Sequence, residues 1–158
     1  MIAWRIATDT RDYEADDLTG AGAKITGGRW NSKGIPVVYC ANSPSLACLE
    51  TLVHLGTSDL PFNRYLVEIH IPDVVWNAKK VETVHSLAVG WEASPAGRVS
   101  VAVGDAWLRS NQSAILTVPS VISPEDTVIL INPAHIGAKQ ITAKKIRQWR
   151  YDPRLGVR

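Results

Sequence analysis

The chain has 158 residues, 46% hydrophobic and 20% charged, which suits an ordinary globular protein and a single domain over residues 1–158. A net charge of +2 is too weak to imply a polyanion partner by itself, and no run reaches the roughly 18 apolar residues of a membrane span. The N-terminal MIAWRIATDTRDYEADD has no basic region followed by an apolar run, so no signal peptide is expected, and the chain reads as cytoplasmic.

Residues 2–7, IAWRIA, read as a first strand carrying Arg5 among apolar neighbours. Residues 12–28 are polar and contain Gly20, Gly22, Gly27 and Gly28, the composition of a long loop. PVVYCA at 36–41 is a short strand. Its alternation puts Val37, Tyr39 and Ala41 on one face and Val38 and Cys40 on the other. NSPSLACLETLVHLG follows and reads as a helix. Ser43 suits the N-cap, Pro44 the first helical position and Gly56 the stop. Leu46, Leu49, Leu52 and Val53 form an apolar stripe. Glu50 falls roughly 40° from Leu46, on the rim of that stripe, and His54 lies one turn further along. RYLVEIHIP at 64–72 alternates well, with Tyr65, Val67, Ile69 and Ile71 facing one way. Ser94-Pro95 opens a helix predicted to run to about Ser110. SAILTVPS at 113–120 and TVILINP at 127–133 read as strands, and ITAKKIRQWRY, with imperfect alternation, as a last one. Strands outnumber helices and several strand connections are short. The expectation is an α+β fold with a largely antiparallel or mixed sheet.

Cys40 and Cys48 form neither a disulfide framework nor a zinc pattern and read as two buried thiols. His54, His70, His85 and His135 are scattered, so each reads as a surface or structural histidine and no metal site is expected. No P-loop, no GxGxxG after a strand and no GxSxG is present. What remains is a polar group on each of several successive elements: Arg5, Arg29, Tyr39, Glu50 and Ser113. The stretch GGRWNS at 27–32 is the oddest of these settings, with a guanidinium, an indole and an amide on a glycine hinge. An arginine fork suits a phosphate or pyrophosphate. A tyrosine ring suits a heteroaromatic ring. A rim carboxylate suits a ribose and the oxocarbenium ion that forms when its base leaves. Together these describe a nucleotide, and cleavage at ribose with a good leaving base describes NAD. Each residue also has a plain reading, as a paired arginine, a core tyrosine, a solvated glutamate and a loop-to-strand serine.

WRI at 4–6, GGRWN at 27–31, VVYCA at 37–41, ACLE at 47–50, GDAWL at 104–108, SAILTVPS at 113–120 and INPAH at 131–135 follow one another in the order seen in the RES domain family. The chain resembles that family over nearly its whole length. The resemblance implies a toxin of a type II toxin–antitoxin module with an Xre-like antitoxin. It also implies a fold similar to diphtheria-toxin-like ADP-ribosyltransferases, and an activity that consumes NAD by hydrolysis, phosphorolysis or ADP-ribosyl transfer. By carry-over, Arg29, Glu50 and Ser113 are the arginine, glutamate and serine that name the family, with Arg5 and Tyr39 as two further site positions. Arg29 and Arg5 would hold the phosphates, Tyr39 would stack near the nicotinamide, Glu50 would bind the ribose and Ser113 would position that end. Trp30 would anchor the loop in the core and Asn31 would tie its backbone down. VISPEDTVILINP after VPS, and IGA after INPAH, depart from the family's usual pattern but touch none of the five residues. The resemblance also implies a homodimer within a larger toxin–antitoxin complex, with DNA bound only through the antitoxin.

Two other activities compete. A protein ADP-ribosyltransferase often carries an acidic residue two positions before its glutamate, where this chain has Cys48. A nucleic-acid-binding module would use the basic tail, in which Lys139, Lys144, Lys145, Arg147, Arg150, Arg154 and Arg158 surround Trp149 and Tyr151. No recognised nucleic-acid motif accompanies that tail.

Overall fold

A computed structural model describes residues 1–55 and 61–155. In chain order the elements are β1 (Ile2–Thr8), α1 (Ala21–Thr26), β2 (Val38–Ala41), α2 (Pro44–Leu52), β3 (Arg64–His70), α3 (Asp73–Asn77), β4 (Lys80–Val81), α4 (Arg98–Ser110), β5 (Ile115–Pro119), β6 (Thr127–Ile131) and β7 (Thr142–Trp149). The strands form one sheet in the order β4-β5-β6-β2-β1-β3-β7. All neighbours are antiparallel except β4 and β5, which run parallel. The expected α+β architecture with a mixed sheet is therefore present.

The alternation read from the sequence sets the two faces of the sheet. Val67, Ile69 and Ile71 are fully buried and pack with Val38 and Cys40 on one side. Val37, Ala41 and Tyr39 pack on the other side with Leu46, Trp30 and Trp107. Both thiols are buried and free. Burial pushes the Cys40 thiol up to about 12 and raises that of Cys48 as well, so neither supplies a thiolate nucleophile near neutral pH.

Three expectations are corrected. The polar stretch 12–28 is not all loop, since α1 lies inside it. That helix is framed by Gly20 and Gly27, both at positive φ (72° and 69°), where glycine alone adopts the backbone without strain. In α2 the Ser43 hydroxyl accepts from the Leu46 N–H, as a cap should. Its buried face, however, is Leu46, Ala47 and Cys48, while Leu49 and Val53 are exposed. Small residues on this face let α2 lie close against β1 and β2. Gly56, the expected stop, lies outside the described residues. The helix expected from Ser94 begins at Arg98, because Gly97 is still extended (φ −91°, ψ 178°). Finally, α3 and β4 were not foreseen; β4 is two exposed residues long, too short to show a period.

The imperfect alternation of the last strand has a physical cause. Leu66 pairs with Arg147 and Val67 with Lys145, so Ile146 is an extra residue in a bulge. A bulge shifts the alternation by one.

The sheet is not continuous at its centre. β1 pairs with β3 at seven positions but with β2 only at Trp4↔Ala41. Were the antiparallel ladder to continue, Arg5 to Thr8 would lie against residues 37–40. Instead the strands part, and a cleft opens between them.

Candidate active site in the split of the sheet

The cleft has a volume of about 620 Å³, within the range of small-molecule sites. Residues 4–8 of β1 line one wall, and Val37 and Tyr39 to Ala41 the other. The glycine loop 27–30, Ala47, Glu50 and His54 from the α2 region, Arg64, and Pro119 to Val121 complete it. Arg5, Arg29, Tyr39 and Glu50, four of the five residues singled out in the sequence, are therefore together.

The loop around Arg29 is fixed from three sides. Tyr39 accepts from the Trp30 N–H through its hydroxyl (2.9 Å) and donates to Asn31 Oδ1 (2.8 Å). Burial raises this phenol well above its ordinary value, so it stays a neutral strut. Asn31 Nδ2 donates in turn to the carbonyls of Ala23, Ser32 and Ile35. Asp105, on α4, accepts from the Ser32 N–H (2.9 Å) and hydroxyl (2.6 Å). Trp30 is 2% exposed and stacks on Trp91 at 6.3 Å. Arg29 Nη1 donates to the Trp91 and Ala93 carbonyls. Two adjacent side chains thus grip the same segment, one by its indole and one by its carbonyls. A Cβ on Gly28 would stand 2.6 Å from the Tyr39 hydroxyl, which is why glycine precedes Arg29. Arg5 is held similarly, with Nη1 donating to Asp17 O (2.9 Å).

Glu50 is half-buried, and its Oε1 accepts from the Ser120 hydroxyl at 2.7 Å. The Ile122 and Ser123 N–H groups both donate to Ser120 Oγ. With its oxygen occupied in this way, the hydroxyl directs its own proton at Glu50. Among the described residues no cation lies within 4.0 Å of the Glu50 carboxylate, and Oε2 accepts no protein hydrogen bond.

Ser113 is not in the cleft, which corrects its assignment. It is 5% exposed, donates to Ile115 O and accepts from Trp107 Nε1. These bonds tie α4 to the start of β5. The serine at the cleft is Ser120, at the other end of the same SAILTVPS stretch. No local sequence signal separates it from Ser113; the course of β5 does, carrying Ser120 to Glu50 of α2. His54, read as a surface or structural histidine, and Tyr13 and Arg64 also line the cleft. Nothing in their local sequence marked them. Among the described residues no group of three or more His, Cys, Asp or Glu is gathered as metal ligands would be, and no helix is long and apolar enough to cross a membrane.

The two serines give opposite predictions. Ser120→Ala removes the group that orients Glu50 and is expected to lower turnover roughly tenfold or more, with a small change in melting temperature. Ser113→Ala leaves the buried Trp107 N–H unpaired and is expected to cost about 1–3 kcal/mol of stability with KM unaltered. Thermal melts beside steady-state kinetics check both.

The RES domain pattern matches residues 2–154. The chain belongs to the RES domain family. It is 62% identical over 152 residues to the Prs ADP-ribosylating toxin of Sphingobium sp. (strain YBL2), covering 96% of this chain and 94% of that one. It is 36% identical to Toxin Res of Yersinia enterocolitica, covering 98% of this chain and 99% of that one. Among solved structures, it superposes on the M. tuberculosis MbcT–MbcA toxin–antitoxin complex with a TM-score of 0.67 at 18% identity. That likeness covers 92% of this chain and 83% of the other, and shows a shared fold. In this RES domain the separate pieces of sequence converge physically: GGRWN is the loop, VVYCA its strut, ACLE the carboxylate, GDAWL the support and VPS the orienting hydroxyl.

Proposed function

We propose that this RES domain is the toxin of a toxin–antitoxin module and acts by cleaving the nicotinamide–ribose bond of NAD. The observation that carries this reading is Glu50, a carboxylate in the cleft with one oxygen fixed by Ser120 and the other without a donor among the described residues, in a cleft also lined by arginines that are held in place. NAD needs that combination: a carboxylate for the ribose, cations for the pyrophosphate and an aromatic wall for the ring.

In the proposed mechanism Arg29 and Arg5, each fixed through one Nη1, offer their remaining N–H groups to the phosphates. The Tyr39 ring lies along the nicotinamide while its hydroxyl keeps the loop in place. The bond between ribose C1′ and the nicotinamide nitrogen breaks, and its electron pair neutralises the pyridinium. Glu50 bonds a ribose hydroxyl and stabilises the cation left on the ribose. Ser120 keeps Glu50 oriented through the step, and Ser113, expected to position the nicotinamide–ribose end, takes no part in it. An acceptor oxygen from water, phosphate or a protein then bonds C1′ and loses its proton. No metal takes part in this reading.

ADP-ribosyl transfer to a protein is the second reading, favoured by the name of the Sphingobium relative. Cys48, two residues before Glu50, supplies no carboxylate to activate an acceptor. NAD labelled in its ADP-ribose half, incubated with this protein and bacterial extract, separates the two. Net breakdown puts the label in small molecules, transfer puts it in protein, and label remaining in NAD contradicts both.

The partner in this reading is an Xre-like antitoxin, with a homodimer of toxin inside the complex and DNA contacted through the antitoxin. The MbcT–MbcA neighbour, itself a toxin–antitoxin complex, supports the antitoxin. The basic tail is used structurally in part, since Lys145 pairs with Asp9 and Glu14 and Arg154 with Asp152. That leaves little to favour a nucleic-acid-binding module.

A further inference from the structure

The geometry points to Arg64 as a third phosphate-binding arginine of the cleft, one that holds the pyrophosphate of the dinucleotide and so sets its affinity. This inference rests on the NAD reading above.

Arg64 opens β3, where it pairs with Thr8 of β1 on one side and Trp149 of β7 on the other. Thr8 and Arg64 both line the cleft. Arg64 acts on the Tyr151 phenol through its positive charge, and the Tyr151 hydroxyl donates to Thr51, the residue after Glu50. Arg64 thus stands beside the helix that carries the carboxylate, while the 27–32 loop carries Arg29.

Its state of pairing sets it apart from the other two. Arg5 and Arg29 each donate through Nη1 to backbone carbonyls. Arg64 Nε is buried and has no hydrogen-bond partner among the described residues. None of the carboxylates there lies within 4.0 Å of its guanidinium. Its terminal Nη groups likewise donate to no protein acceptor among the described residues, and with Arg64 lining the cleft they are the donors a ligand there can reach. Two Nη groups of one guanidinium form a fork matched to two oxygens of one phosphate. A pyrophosphate carries two negative charges, and a cleft with arginines on more than one wall suits a diphosphate that spans it.

The test measures NAD consumption by the wild type, Arg64→Gln and Arg64→Lys, with ADP-ribose and nicotinamide as inhibitors. Binding of ADP-ribose is measured separately by calorimetry, and folding by thermal melts. Arg64→Gln is expected to raise KM for NAD and weaken ADP-ribose about tenfold in parallel, with inhibition by nicotinamide, which has no phosphate, unchanged. Arg64→Lys keeps the charge without the fork and should fall in between. KM within twofold of wild type in an active Arg64→Gln overturns the inference. So does equal weakening of ADP-ribose and nicotinamide, which would mean a distorted cleft. A wild type that leaves NAD intact defeats the NAD reading alone. In that case ADP-ribose binding lost in Arg64→Gln still supports the phosphate site, and its absence or equality in the two proteins overturns it.

Discussion

Replacing Glu50 with glutamine is expected to lower the rate of nicotinamide release from NAD by about 100- to 1000-fold. The substitution is nearly isosteric. Its amide oxygen can still accept from the Ser120 hydroxyl, which stands 2.7 Å from Oε1 in the native chain. What disappears is the negative charge, and that charge matters most when the ribose becomes cationic. The loss should therefore fall on kcat more than on KM. Because Glu50 is only half-buried and forms no ion pair among the described residues, the fold should tolerate the change. A shift of a few degrees in melting temperature is the most expected. Glu50→Gln turning over at the wild-type rate would remove the carboxylate from the mechanism.

Gly104→Ala is expected to be the most damaging single-methyl change in the fold. An added Cβ would stand 1.8 Å from the Trp30 carbonyl oxygen and 2.7 Å from its carbon. Both are backbone atoms, so no side-chain rotation relieves the clash. Either α4 or the 27–32 loop must move. Overpacking of this kind costs typically 1–3 kcal/mol, and a backbone-on-backbone clash belongs at or beyond the top of that range. About 3 kcal/mol corresponds to a loss of roughly 6–12 °C in melting temperature for a chain of this size. Activity should fall as well, because Asp105, the next residue, holds Ser32 and the displaced loop carries Arg29. Gly97→Ala, at the N-cap of the same helix, is the control. Its Cβ would find its nearest neighbour at 3.6 Å, an ordinary contact, so differential scanning calorimetry should show a change below about 1 kcal/mol.

These two residues show what can be seen in the sequence and what cannot. The strands were legible wherever one side of the sheet differs from the other in polarity. Val67, Ile69 and Ile71 alternate with polar or smaller neighbours, and Tyr39 and Val38 fall on opposite faces as expected. A bulge defeats this reading, because Ile146 adds one residue and inverts the phase. Glycines that frame a helix defeat it too, since Gly20 and Gly27 look like loop until their positive φ values mark them as boundaries. The α2 stripe was misjudged because Leu49 is more apolar than Ala47, while the close approach of helix to sheet selects the smaller residue for burial. Arg29, Glu50, Tyr39 and Arg5, which line one cleft, stand out in the sequence because a polar side chain among apolar neighbours, or an arginine on a glycine hinge, is locally anomalous. Ser113 and Ser120 look alike locally and sit at opposite ends of one strand. Only the course of the chain shows that one faces α4 and the other Glu50. Arg64 opens an amphipathic strand where an arginine is unremarkable, and its significance comes from the parting of β1 and β2 far away in sequence.

If this RES domain acts by consuming NAD, the first thing to change in bacteria is their NAD content, measured in the first generation after induced expression of the chain without an antitoxin. The native protein is predicted to drain NAD before growth stops, and Glu50→Gln at the same expression level is predicted to leave NAD and growth unchanged. Growth arrest by the native chain with NAD held constant would mean that it does not act by consuming NAD.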